Sequence, residues 1–195
     1  MKTRFILASL FLLNLLTAQA QLPYAISKGE IKIEGTSTLH DWTANTKALE
    51  GQALFNIENG VPKGIAKLEV STKVKSIKSE KGSTMDKNMY KALKADNHPV
   101  LRFKLTKANY LNKVGSDYQV SITGDLTVAG TTRSITITGK GKSGATSLDF
   151  EGSFKLKMTD FNVEPPSLFL GTLQTGDEVT IHYKVSFTPA TASTR

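Results

Sequence analysis

The sequence contains no cysteine, a single tryptophan and, past its first twenty residues, no long apolar run. Without cysteine there are no disulfides, so packing and backbone hydrogen bonds must hold the fold by themselves. No later segment approaches the roughly 20 apolar residues that a membrane-crossing helix requires. The three histidines, His40, His98 and His182, fall in separate segments. They lack the short ligand spacings that build part of a metal site locally, so no metal is expected. His40-Asp41 does not suggest a nucleophilic triad, because adjacent residues of a strand point to opposite faces. With no acid–base pair and no ligand cluster in view, an enzyme is not expected.

The chain opens like an export signal. Lys2 and Arg4 precede an apolar stretch from Phe5 to Leu16, and Ala18-Gln19-Ala20 supplies small residues before a cut. Residues 1–20 are therefore expected to be removed, leaving a periplasmic or secreted, soluble protein that begins at Gln21. No cysteine stands at the cut, which argues against a lipoprotein. The remaining 175 residues suit one domain, 21–189, with a small polar tail at 190–195. The net charge is +8, and removing Lys2 and Arg4 leaves +6. That excess is spread over outward strand lysines such as Lys155, Lys157 and Lys184. It fits a solvated surface with at most transient contact with a membrane, and nucleic acid is not an expected partner. The oligomeric state is not legible.

What the chain does have is alternation. Leu148, Phe150, Phe154, Leu156 and Met158 share one parity, against Asp149, Glu151, Ser153, Lys155 and Lys157. Val179, Ile181, Tyr183, Val185 and Phe187 repeat the pattern. A period of two marks antiparallel strands with one apolar face. About eight strands are expected: Gly29 to Thr46 (one long strand or a bent pair), 53–57, 64–75, 100–107, 118–128, 132–140, 146–158 and 178–188. Asn59-Gly60 and Ala129-Gly130-Thr131 supply tight turns. In the third strand Ala66, Leu68, Val70 and Val74 share a parity. The predicted fold is all-β: an antiparallel up-and-down barrel, closed on itself and able to enclose an apolar guest.

Two insertions break the meander. From Ser79 to Pro99, Met85, Met89 and Leu93 recur at helical spacing, with Ser83 and Asp86 as an N-terminal capping pair. A helix with that stripe is expected to cap the barrel mouth. From Thr159 to Gly176, Leu168, Phe169, Leu170 and Leu173 form an apolar cluster that either caps the end or lines a portal. Gly139-Lys140-Gly141-Lys142-Ser143-Gly144 spells G-x-G-x-x-G, but a strand rather than a helix follows it. It is therefore read as a flexible hairpin turn and not as a nucleotide loop. The predicted cavity lining, taken from inward parities and the helix stripe, is Leu68, Val70, Met85, Met89, Leu93, Leu101, Phe103, Phe150, Phe154 and Phe161. His40 and Trp42 are candidates for the rim, where a polar group can meet a ligand headgroup; Trp42 reads more readily as core, and His40 equally as a satisfied structural histidine.

Taken in order, several segments resemble the YceI-like family of polyisoprenoid-binding proteins. They are Gly35-Thr36-Ser37-Thr38-Leu39-His40-Asp41-Trp42, the helix from Met85 to Pro99 running into Val100-Leu101-Arg102-Phe103, and Gly124-Asp125-Leu126-Thr127-Val128-Ala129-Gly130-Thr131-Thr132-Arg133. Thr159-Asp160-Phe161 and Gly176-Asp177-Glu178-Val179 complete the set. The helix region departs from the commoner family pattern, reading Ser83 to Tyr90 and then Asn97-His98-Pro99. The resemblance implies a lipocalin-like barrel, an extracytoplasmic location and no catalytic residues or catalytic cofactor. It implies a lipid partner held inside the barrel: a long isoprenoid, an isoprenoid quinone or a similar amphiphile. The competing expectation is a barrel filled by its own side chains, acting as an envelope interaction or stress-protection module.

Overall fold

The alternating segments become strands in a computed structural model that describes residues 20–168 and 173–190. In chain order these are β1 (Ala20–Ser37), β2 (Trp42–Thr46), β3 (Leu49–Glu58), β4 (Val61–Lys73), β5 (Lys78–Ser79) and β6 (Val100–Val114). After them come β7 (Asp117–Val128), β8 (Thr131–Ser143), β9 (Leu148–Lys157), β10 (Ser167–Leu168) and β11 (Leu173–Pro189). One helix, α1 (Ser83–Ala92), lies between β5 and β6. Eight strands close a ring, β1-β3-β4-β6-β7-β8-β9-β11, and β11 returns to pair antiparallel with β1. This is the up-and-down barrel that the alternation implies, in the lipocalin-like form that the family resemblance implies. Residues 1–19, 169–172 and 191–195 lie outside the described residues, and with them most of the expected export signal, the tail and the middle of the apolar run.

The first expected strand is a hairpin. β1 starts at Ala20, and β2 folds back on it through the turn at 38–41. β2 and β3 then run end to end along one edge of β1 in a single register, with pairing lapsing between Ala25↔Gln52 and Ile31↔Thr46. Two-residue turns carry the meander. Asn59-Gly60 and Ala129-Gly130 both have positive φ at each position, the geometry that matches the twist of the strands they join.

Three local expectations need correction. Ala66 is exposed, because a bulge between the Leu54 and Phe55 pairings turns Ile65 inward in its place. Ser83 does not cap α1; the N-cap is Gly82 and no side-chain cap forms. The run from Gly139 to Ser143 is strand rather than turn, and the turn follows it. Its glycines serve packing. A Cβ on Gly139 would strike the Tyr183 hydroxyl, and one on Gly141 would lie 2.7 Å from the Phe150 ring.

The interior divides by height. At the base, Phe55 stacks on Phe150 with centroids 5.9 Å apart, and meets Tyr24 and Phe187 edge-on at 5.1 and 5.8 Å. Each such pair adds about 0.5–1.5 kcal/mol beyond the apolar area it hides. Ala53, Ile65, Leu68, Leu111, Tyr118, Val120, Ile122 and Leu148 pack around these rings, so this half is solid. At the other end a second cluster, built on Trp42, Ala44, Ile77, Met89 and Val179, surrounds open space.

Candidate functional site

The hollow end of the barrel is a cavity of about 190 Å³ that opens to solvent. Its walls come from the inward positions at the upper end of the strands. They include Ile31 and Ile33 of β1, Val70 of β4, Leu101 and Phe103 of β6, Leu126 and Val128 of β7, Phe154 and Leu156 of β9, and Val179 and Ile181 of β11. Phe103 belongs to the wall and to the solid base alike, and forms part of the floor. The surface is almost wholly carbon, because the few polar residues there turn their hydroxyls elsewhere. Thr72 donates to the Ala48 carbonyl at 2.8 Å, and Thr46 shares a hydrogen with Ser76 at 2.9 Å.

The roof is α1, which places Met85, Met89, Ala92 and Leu93 over the cavity. Two side chains fasten it to the strand beneath. Asp86 is buried, and its carboxylate accepts the Ser79 N–H at 2.7 Å with the Lys78 ammonium 3.5 Å away. Tyr90 donates its O–H to the Ile77 carbonyl at 2.7 Å and accepts from Lys78 at 2.9 Å. That hydrogen bond to Tyr90 holds the Lys78 ammonium above its ordinary pKa. The helix ends where Lys94 takes a left-handed φ of 52° and the Ala95 N–H reaches back to the Tyr90 carbonyl.

A one-turn 3₁₀ segment, Thr159–Phe161, closes the side of the same end. Asp177 holds it, accepting from the Thr159 N–H at 2.9 Å and the Thr159 O–H at 2.7 Å. These bonds, the hydroxyl first, keep the Asp177 carboxyl below its usual value. Phe161, only 1% exposed, packs inward from this turn with Val163 and Ala129. Midway down the barrel Tyr183 lies over Gly139 and Gly152, and burial pushes its hydroxyl up to about 12, so it remains a donor.

The YceI-like domain family matches residues 19–187. The chain belongs to the YceI-like family. Solved structures share the fold at low identity. A crystal structure of Burkholderia cenocepacia BcnA is 18% identical with a TM-score of 0.63, over 84% of this chain and 96% of that one. A polyisoprenoid binding domain from Saccharophagus degradans, implicated in plant cell wall breakdown, is 12% identical with a TM-score of 0.67, over 87% and 100%. The Campylobacter jejuni YCEI protein is 20% identical with a TM-score of 0.58, over 76% and 85%. No curated protein sequence matches this one.

Within this YceI-like barrel, Val70, Met85, Met89, Leu93, Leu101, Phe103, Phe154 and Phe161 surround the cavity. Leu68 and Phe150 do not. Both face inward, as their parity requires, but they sit low in the barrel and belong to the solid base. Trp42 is buried in the cavity wall, its indole N–H donating to the Thr36 carbonyl at 3.1 Å. His40 is not at the cavity. It is exposed at the tip of the β1–β2 turn, where Ser37 donates to its carbonyl at 2.6 Å. His182 faces outward and lies 2.9 Å from Glu34, and His98 packs on Gly130. Among the described residues no group of three histidine, aspartate or glutamate side chains could hold a metal. The wall residues absent from the expected set are chiefly Ile31, Ile33, Leu126, Val128, Val179 and Ile181. Their alternation marked them as inward; parity reports the face of a strand but not the height.

Proposed function

We propose that this YceI-like protein is an exported carrier that holds part of a long apolar molecule, an isoprenoid or isoprenoid quinone, in the upper half of its barrel. The observation that supports this reading is the carbon-walled cavity beneath α1. Each methylene-sized group moved there from water gains about 0.8 kcal/mol, so a few prenyl units offset the ordering of the tail. Methionine suits the roof, since Met85 and Met89 can adapt to a flexible chain. At about 190 Å³ the cavity is smaller than the roughly 300–1,000 Å³ of common small-molecule sites. It therefore fits a segment of a chain rather than a whole folded-up polyprenyl molecule. Among the described lining residues only Arg102 carries a charge, and it is exposed, so a polar headgroup stays at the open end.

The solid base favours a second reading, a self-filled barrel acting as an interaction module of the envelope. Native purification, organic extraction and mass spectrometry separate the two. Carriage requires a co-purifying isoprenoid, or saturable uptake of added isoprenoid quinone by the delipidated protein at one molecule per chain. A protein that yields no lipid and takes up none leaves only the filled-barrel reading.

A further inference from the structure

The barrel wall is incomplete between β8 and β9. Their ladder runs from Ser143↔Leu148 to Gly139↔Gly152 and stops. Beyond it β8 continues to Thr131 paired with β7 alone, and β9 continues to Lys157 paired with β11 alone. The parting is framed at both ends. Below, Tyr183 lies across the two glycines of the last rung and donates to the Thr138 carbonyl at 3.2 Å, the first carbonyl past that rung. Above, the 159–161 turn bridges the strands. Arg133 donates to the Asp160 carbonyl at 2.8 Å, Asn162 to Thr131 at 3.1 Å, and Lys94 to the Asn162 carbonyl at 3.1 Å.

This window lies alongside the cavity, with Ile135 and Ile137 packed against the base cluster and Ile135 also against the cluster of Ala129, Phe161 and Val163. Residues of β7 and β9 line the hollow on either side, yet among the described lining residues none comes from β8. The inward side chains of β8 at this height, Ile135 and Ile137, are half-buried, as are Phe154 and Leu156 opposite. Aromatic rings close the hollow below and α1 covers it above, while Pro166 and Thr175 line its edge beside the open end. We infer that the window between β8 and β9 is where a long ligand's apolar chain leaves the cavity, lying over Ile135 and Ile137. This rests on the carrier reading and adds to it the route of the chain. A polyprenyl or similar chain fits the window better than a peptide strand does. The inner face is apolar and continuous with the hollow, and the carbonyl nearest the last rung is already occupied by Tyr183.

The test compares a two-unit prenyl alcohol with an isoprenoid quinone of eight units on the delipidated full-length protein. Trp42, the single tryptophan, lies in the cavity wall and reports both by fluorescence. Ile137→Gln should weaken binding of the quinone about tenfold while the short alcohol binds as before, since only the long chain reaches β8. The chain has no native cysteine, so Ile137→Cys can also be labelled at one site after folding. A bulky thiol reagent should block the quinone and spare the alcohol, whereas a methyl-sized reagent should spare both. Equal quinone binding with and without the bulky label would overturn the window and point to an exit beneath α1, with the carrier reading intact. Failure of the unmodified protein to bind either molecule would overturn both.

Discussion

Phe55 and Phe154 are the same residue type on inward faces, yet they do different work. Phe55 is 1% exposed and touches three other rings, whereas Phe154 is half-buried against open space. Phe55→Ala should cost about 3–5 kcal/mol in urea unfolding. Phe154→Ala should cost roughly 2 kcal/mol or less, because its ring leaves fewer partners behind; equal losses would mean that the hollow is packed in solution. Asp86 offers a polar counterpart. Asp86→Ala strands the Ser79 N–H beneath the helix and should cost about 1–3 kcal/mol by the same measurement. The sequence placed Phe154 inward, gave only a strand at 53–57 for Phe55, and assigned Asp86 to a helix cap. It could not do better for Asp86, since the partner seven residues back is found only once β5 and α1 are laid together. Ala66 failed for a related reason, as a bulge shifts parity without leaving a mark in composition.

At the level of elements, the strands and the helix stripe were legible because periodicities of two and about 3.6 are direct consequences of backbone geometry. Element height within the barrel was not, because it depends on the registers of eight strands together. That is why Phe150 was expected beside Phe154 in the cavity, although the two sit in different halves of β9. The turn at 159–161 has a pH-dependent tether. Asp177 has a folded pKa below its ordinary value of 3.8, so its contribution is present above 3.8 and lost as the pH falls through the lower, folded value. Wild type should therefore melt above Asp177→Asn at pH 7, and the gap should close below pH 3.8. A gap that persists in acid would show that the carboxylate charge is not what holds the turn.

For the whole molecule, occupancy should appear as stability. A guest at one hundred times its dissociation constant adds about 2.7 kcal/mol, which for a domain of this size raises the melting temperature by roughly 5–10 °C. Thermal scans of the delipidated protein with and without an isoprenoid quinone measure this directly, and an unchanged melting temperature at saturation would count against carriage. The family and the barrel could be read from the chain before any coordinates, because ordered motifs such as Gly124 to Arg133 span most of it. The share of the interior left hollow could not, since it is set by how far the rings of Phe55, Phe150 and Phe187 reach across the base.

The seam of the ring joins Tyr24 to Pro189 and Gly35 to Val179, so the first strand finds its second neighbour only in the last. Contacts across so much intervening chain form late and make folding slow. Until β11 arrives, one edge of β1 exposes its amides and carbonyls to any passing strand. The chain is thus most prone to aggregate while that edge stands open, and a chaperone that shields it would help most.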